Sequence, residues 1–173
     1  MPWMKYLMMI KPKNFHVRLA MKTDWKILKS LRLEALLDSP HAFTATYEKT
    51  KTHSDSEWQD RAAQRTPCHF LLAFDVKDAV GMVGGIVDEQ NEFNVVAMWV
   101  KPVYRASGVA ALLISSVKQL AKQQGYNSLV LRVAHDNIGA IRFYQKQGFK
   151  RNLTYTQDDI TETSLKMMTS LND

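Results

Sequence analysis

The segment that decides the fold reads Asn137-Ile138-Gly139-Ala140-Ile141-Arg142-Phe143-Tyr144-Gln145-Lys146-Gln147-Gly148-Phe149. Asn137 is a residue type that caps helix N-termini and Gly148 is a type that ends helices, so residues 138–147 are predicted to form a helix. Tyr144 follows Ala140 by one turn, which places both side chains on the same face of that helix. A strand is predicted just before it, because the apolar residues at 129, 131 and 133 alternate.

A second informative segment, Arg105-Ala106-Ser107-Gly108-Val109-Ala110, connects a predicted strand to a predicted helix. The strand runs from Phe93 to Val100, and apolar residues recur at helical spacing between Gly108 and Gly125. The start of such a helix presents free backbone N–H groups and binds phosphate. Gly108 and its small neighbours let an anion approach the backbone, and Arg105 can add charge-assisted hydrogen bonds. Taken alone, the pattern also suits a plain strand-to-helix turn.

Together the two segments resemble the GNAT N-acetyltransferases. The family's first motif, Q/R-x-x-G-x-G/A, is satisfied by residues 105–110, and its second motif, N-x-x-A-x-x-F-Y followed by G-F, is matched in full by residues 137–149. The likeness is close over residues 93–149, and the order of elements agrees from residue 16 onward. It implies an α+β fold in α/β/α layers. Its mixed, mostly antiparallel sheet is flanked by helices and splays between the fourth and fifth strands to admit the pantetheine arm of acetyl-CoA.

The rest of the chain supplies the elements that such a fold needs. A strand at residues 16–20 leads into a helix with apolar residues at 25, 28, 31 and 35, and Ser54-Asp55-Ser56-Glu57 has the form of a capping box. Two apolar runs, 70–74 and 80–87, suit an antiparallel hairpin. Residues 38–53 are expected to form a loop, and Ile160 to Leu171 one more strand.

Composition indicates one domain without a metal. With 173 residues and 46% apolar residues, we expect an N-terminal extension over residues 1–15, poorly ordered, and a single N-acetyltransferase domain over residues 16–173. Cys68 is the only cysteine, which excludes an intramolecular disulfide, and the five histidines are too dispersed for a two-histidine metal site. No apolar run is long enough to span a membrane, so we expect a cytoplasmic protein without membrane partners.

The net charge of +6 favours an anionic partner, but the basic residues are scattered without a long run. A solvated surface is therefore the favoured interpretation, and no nucleic-acid partner is expected. The acidic residues Asp38, Glu48 and Asp55 could attract a cationic acceptor, although solvent-facing charge is again the default interpretation.

The resemblance also implies roles for individual residues. Tyr144 corresponds to the acid that protonates the departing CoA thiolate, and it also contacts the cofactor. Asn137 caps its helix and contacts CoA or an ordered water. The other residues expected to bind acetyl-CoA lie on the fourth strand, through its backbone, and in the turn that follows it: Met98, Trp99, Val100, Arg105, Ala106, Ser107, Gly108, Val109 and Ala110. A backbone N–H near Met98 is the expected donor to the oxyanion.

The general base is the role that the sequence leaves open. Residues 95–100 contain no carboxylate or histidine, so the candidates are Glu92, His135, Asp136 or a chain of waters. Relatives that acetylate protein N-termini often carry Glu five residues before the motif asparagine, whereas this chain has Arg132, which argues against that substrate class. Trp58 and Trp99 could line an acceptor pocket, but core positions are the favoured interpretation for both.

The predicted activity is direct acetyl transfer from acetyl-CoA to a primary amine of a small molecule or peptide. Two alternatives stay open: transfer of a longer acyl group, and a module that binds acyl-CoA without turnover. The motifs indicate binding of CoA and do not specify the acyl chain. A homodimer is compatible with the resemblance. The acceptor and the oligomeric state are left undetermined by the sequence.

Overall fold

A computed structural model describes residues 14–151 and 164–172. Most of the expected N-terminal extension, and residues 160–163 of the expected last strand, lie outside this range. The strands are β1 (Phe15–Leu19), β2 (His69–Asp75), β3 (Asp78–Val87), β4 (Phe93–Val100), β5 (Ser128–Ala134), β6 (Lys150–Arg151) and β7 (Ser164–Ser170). The helices are α1 (Trp25–Asp38), α2 (Tyr47–Thr50), α3 (Asp55–Ala62), α4 (Val109–Gln123) and α5 (Ile138–Lys146).

The described strands form one sheet in the order β1-β2-β3-β4-β5-β7-β6. Every neighbouring pair is antiparallel except β4 and β5, which are parallel. A parallel pair needs a long crossover connection, and α4 supplies it. The mixed, mostly antiparallel sheet expected from the sequence is thereby confirmed.

The pairing of β4 with β5 is short. Asn94 lies opposite Val130 and Val95 opposite Leu131, and no further pair joins these two strands. Beyond Val95 the strands diverge, so the backbone edges that face each other are free to bind something else. This confirms the predicted splay between the fourth and fifth strands.

Helices cover both faces of the sheet because its inner strands are apolar on both sides. In β2, Leu71 and Ala73 belong to one buried cluster and Leu72 to another, as alternation along a strand requires. The first cluster holds the apolar face of α4 and also Ile141 of α5. The second holds the inner residues of α1 and α3. We call these the α4 face and the α1 face.

Local structure follows the capping residues. The Ser54 hydroxyl accepts from the Glu57 N–H at 3.2 Å, and the Glu57 carboxylate accepts from the Ser54 N–H at 2.7 Å, so the predicted capping box is confirmed. The prediction of a loop over residues 38–53 was wrong in part. The helix α2 forms there, and the side chain of Thr46 caps it. Within the described residues, no helix is long and apolar enough to cross a bilayer.

Candidate active site

A cleft of about 470 Å³ opens where β4 and β5 diverge. Residues 94–98 and residues 131–134 form its two walls. Asn137, Ala140 and Tyr144 line it from the α4 face, where Tyr144 packs against the same cluster as α4. Residues 42–45 and Arg32 line it from the α1 face, where Phe43 packs against the second cluster. The cleft therefore extends through the sheet and can be approached from both faces.

Tyr144 lies on α5, one turn after Ala140, and both residues line the cleft as the helical spacing predicts. Its ring packs edge-on against Phe143 at 5.2 Å and Phe149 at 5.7 Å between ring centroids. Burial raises the pKa of Tyr144 to about 12. No described residue hydrogen-bonds its hydroxyl. The phenol is therefore protonated at neutral pH, and its proton is free for a ligand.

A β-bulge lies in β4 at the opening of the cleft. Trp99 pairs with Met82 and Val96 pairs with Gly84, so Ala97 and Met98 together face a single residue of β3. Ala97 has a φ of 52°, in the left-handed region that non-glycine residues seldom adopt. The bulge interrupts the ladder of hydrogen bonds and turns backbone polar groups away from β3, beside the cleft.

The turn before α4 has the geometry of an anion cradle. Ala106 and Gly108 both have positive φ, 56° and 95°, on either side of Ser107. Alternation of this kind directs successive N–H groups to one side. Among the described residues, the N–H groups of Val109, Ala110 and Ala111 donate no hydrogen bond, as expected in a first helical turn. A Cβ placed on Gly108 would meet no atom within 4 Å, so this glycine serves the turn and leaves open space.

Arg105 contacts protein groups that the sequence did not predict. Its Nε donates to the carbonyl of Val100 at 3.1 Å, and its guanidinium binds the carboxylate of Asp38. The indole N–H of Trp99 donates to the same carboxylate at 2.9 Å. Hydrogen bonding from Trp99, then from Ser39 and Arg105, holds the pKa of Asp38 below its usual range against the opposing effect of burial. The network ties the end of α1 to β4 and the turn.

Asn137 caps α5, because its side-chain oxygen accepts from the Ala140 N–H at 3.1 Å. The capping role predicted from the sequence is confirmed, and the same residue also lines the cleft. Trp58 and Trp99 are both buried, 1% and 6% exposed, in the cluster on the α1 face. The structure therefore supports the core interpretation of the two tryptophans.

The candidates for a general base lie apart from the cleft lining. Glu92 pairs with Lys166 at 2.5 Å, and His135 and Asp136 are exposed residues between β5 and α5. The described residues that line the cleft include no carboxylate and no imidazole. Nor does the described part of the chain bring together three or more side chains suited to hold a metal ion.

Arg32 and Phe43 are site residues that sequence reasoning missed. Arg32 lies on the partly buried side of α1, and its guanidinium stacks over the Phe43 ring at 4.7 Å from the centroid. Both line the cleft from the α1 face. The helical pattern of α1 marks its buried leucines but gives no sign that a neighbouring arginine faces a cleft.

A mixed sheet that opens between two parallel strands, followed by an anion cradle at the start of α4, defines the N-acetyltransferase class of fold. Residues 32–149 match the acetyltransferase (GNAT) family, and the chain belongs to that family. Human N-acetyltransferase 8 is 31% identical over 94 residues, which is 51% of this chain and 41% of that protein. The chain thus spans about two fifths of the length of this relative.

Solved structures agree on the fold. An acetyltransferase of the GNAT family from Streptococcus pneumoniae superposes with a TM-score of 0.74 at 18% identity, over 91% of this chain and 99% of that one. The PaiA N-acetyltransferase of Thermoplasma acidophilum, solved in complex with coenzyme A, gives a TM-score of 0.67 at 18% identity with the same coverage. At these identities the likeness supports the fold and nothing finer.

Proposed function

We propose that this chain transfers an acetyl group from acetyl-CoA to a primary amine, and that Tyr144 protonates the CoA thiolate as it leaves. The observation that carries the proposal is the position of Tyr144. Its hydroxyl is without a partner in the described chain, on the cleft that separates β4 from β5. A phenol with a pKa of about 12 keeps its proton at neutral pH and can give it to a developing thiolate.

Acetyl-CoA fits the features next to this tyrosine. The cradle at residues 105–110, with the free N–H groups of the first turn of α4, suits the pyrophosphate. The edge of β4 from Met98 to Val100 is not paired with β5, so its backbone is available to the amide groups of the pantetheine arm. The Ser107 hydroxyl donates to the Tyr104 carbonyl, which favours a fixed turn rather than a direct phosphate contact for this side chain.

The backbone bulge is the proposed oxyanion site. A tetrahedral intermediate places negative charge on the former carbonyl oxygen, and a backbone N–H held beside it stabilises that charge. The bulge at Ala97 and Met98 interrupts the ladder next to the cleft, which makes an N–H near Met98 the best candidate. Because a backbone N–H would stabilise the oxyanion, the identity of the side chain at that position matters little.

The attacking amine must be neutral, and the cleft lining offers no carboxylate or imidazole to deprotonate it. We therefore favour loss of its proton to a chain of waters over a direct role for Glu92, His135 or Asp136. Glu92 is held by Lys166, which lowers its availability as a base. We also propose that the group transferred is acetyl rather than a longer acyl chain.

The test is thiol release from acetyl-CoA over a panel of amines, with Tyr144→Phe as the variant and Tyr126→Phe as the matched control. Tyr126 is a partly buried tyrosine outside the cleft lining, and its hydroxyl lies 3.3 Å from the side-chain oxygen of Asn91. We expect Tyr144→Phe to lower kcat by about 100-fold or more with a nearly unchanged Kd for acetyl-CoA, because the hydroxyl acts as the thiolate forms. Full turnover in Tyr144→Phe would contradict the role of Tyr144 as the acid. Faster transfer from a longer acyl-CoA than from acetyl-CoA would contradict the proposal that acetyl-CoA is the donor.

A further inference from the structure

Two arginines lie together on the α1 face without a counter-ion among the described residues. Arg32 comes from α1 and lines the cleft, and Arg61 comes from α3. In each guanidinium, Nη1 is buried and has no hydrogen-bond partner. Each stacks on an aromatic ring instead, Arg32 on Phe43 at 4.7 Å and Arg61 on Trp58 at 4.8 Å. Aromatic faces hold the two cations in place but leave the N–H groups of these two Nη1 atoms unsatisfied.

The acidic groups of α1 and α3 are engaged elsewhere. They pair with other basic or polar groups as follows: Glu34 with Lys101 at 3.9 Å, Asp38 with Arg105, Asp55 with Lys29 at 3.2 Å, Glu57 with His53 at 3.0 Å, and Asp60 with Arg65 at 3.5 Å. Cys68, which interacts electrostatically with both arginines, is no counter-ion either, because burial raises the pKa of its thiol to about 12. The pair therefore carries uncompensated positive charge.

Such an arrangement is unfavourable for the isolated protein. Burial, and then the charge of Arg61, lower the pKa of Arg32, opposed by the interaction with Cys68. A buried cation without a partner destabilises a fold, and groups of this kind persist at sites where a ligand supplies the missing partner. The partner that a guanidinium binds best is a planar anion, which can accept two parallel hydrogen bonds.

Resting on the function proposed above, we propose that the acceptor amine carries a carboxylate, and that Arg32 binds this carboxylate at the end of the cleft on the α1 face. Arg61 adds a second positive charge behind it. The carboxylate would then enter from the face opposite Tyr144, so that the amine points between β4 and β5. The cleft of about 470 Å³ must also admit the thioester end of acetyl-CoA, which leaves room for a small acceptor, so the substrate class is amino acids and related carboxylated amines.

The first experiment compares matched acceptors by thiol release: amino acids, the corresponding carboxamides, and phosphoethanolamine as a phosphate-bearing amine. In the unaltered protein we expect kcat/KM for the free acid to exceed that for the amide by about tenfold or more. Arg32→Met, which keeps an unbranched stem, should abolish this preference. Arg65→Met is the matched control, because Arg65 is 65% exposed outside the cleft lining, and it should retain the preference.

The second experiment measures binding without turnover. N-acetylated amino acids and their amides are titrated into the protein by calorimetry. We expect the acids to bind the unaltered protein and Arg65→Met alike, and to bind Arg32→Met at least tenfold more weakly, with Arg32→Lys in between. If these acids bind through Arg32 but no amine releases thiol, the proposed transfer fails and the carboxylate site stands.

Three kinetic results would overturn the carboxylate site while leaving acetyl transfer intact. They are equal use of acids and amides, a preference that survives in Arg32→Met, and a preference for phosphoethanolamine over the amino acids. Absence of any Arg32-dependent binding of carboxylates would overturn it as well. The Tm of ligand-free Arg32→Met separates a structural role from a binding role. We expect it to equal or exceed that of the unaltered protein, whereas a structural arginine predicts a lower Tm with an unchanged acid preference.

Discussion

Ala97 adopts a backbone conformation that is unfavourable for alanine at the point where the cleft begins. Its φ of 52° puts the Cβ close to the backbone, and a non-glycine residue there costs on the order of 1–2 kcal/mol. The pairing of β4 with β3 on both sides of the bulge holds Ala97 in this conformation. The small side chain keeps this cost low, and the displaced backbone N–H is the group that the proposed chemistry needs near Met98.

This argument predicts the effect of a branched side chain at the bulge. Ala97→Val should lower the free energy of unfolding by about 1–3 kcal/mol, because β-branched residues are disfavoured at positive φ. It should also lower kcat, since relaxation of the bulge would move the N–H groups. Denaturant unfolding and thiol release measure the two effects. Ala79→Val is the control, because Ala79 is a partly buried alanine of β3 whose φ is not positive. Equal losses in both variants would contradict the prediction.

The elements that form the proposed acceptor side depend on how α1 is anchored to the sheet. Asp24, 5% exposed, precedes α1 and accepts two hydrogen bonds from Arg18 of β1, at 2.6 and 3.0 Å. It also accepts the Met21 N–H at 2.7 Å. Because α1 carries Arg32 into the cleft, this pair of charges sets the position of the proposed carboxylate site from a distance.

Asp24→Asn should therefore destabilise the protein by about 1–3 kcal/mol at neutral pH, since an amide leaves Arg18 without its counter-charge. Hydrogen bonding from Arg18 lowers the pKa of Asp24 below its usual range in the folded state, against the effect of burial. The stabilisation is consequently present above the pKa of the unfolded state and is lost as the pH falls through the lower, folded pKa. Urea unfolding at a series of decreasing pH values should show the two proteins converging. Asp55→Asn, whose side chain is 62% exposed, should change little.

Prediction from the sequence succeeded where local pattern determines structure. The bounds of β4 were predicted as observed, and Asn137 caps α5 as its position in the motif suggested. The one-turn helix α2 was missed, because its signal is a single cap at Thr46. The bulge at Ala97 was missed too, since one extra residue in a strand leaves no Gly or Pro to mark it.

Long-range contacts were beyond reach for a different reason. Asp38 meets Arg105 across 67 residues of sequence, and nothing in either segment specifies the other. The motif suggested a phosphate contact for Arg105, whereas the structure pairs its guanidinium with Asp38 and Val100. The guanidinium of Arg32 likewise lines the cleft only because α1 packs beside the opening between β4 and β5. The motifs thus indicated the proposed cofactor side of the site, whereas the proposed acceptor side became visible only in the tertiary structure.

At the scale of the whole molecule, the sheet separates the two proposed binding sites. Its α4 face carries the anion cradle and Tyr144, and its α1 face carries the paired arginines. The splay between β4 and β5 is where ligands from the two faces would meet. The net charge of +6 suits two anionic ligands, because long-range attraction raises the rate at which each is encountered.

Binding of acetyl-CoA should accordingly stabilise the whole fold. At a ligand concentration of about 100 Kd the gain is about 2.7 kcal/mol, which for a domain of this size corresponds to a Tm increase of roughly 5–10 °C. Gly108→Leu should remove most of this increase by obstructing the cradle. Gly125→Leu is a closely matched control, because Gly125 also has a positive φ, 86° against 95°, and equally open surroundings, but follows the other end of α4. Both variants should lose similar stability without ligand, so differential scanning fluorimetry isolates the effect on binding. Equal ligand-induced Tm increases in the two variants would place the phosphates elsewhere. If only Gly108→Leu loses the increase, the stabilisation by acetyl-CoA depends on the turn before α4.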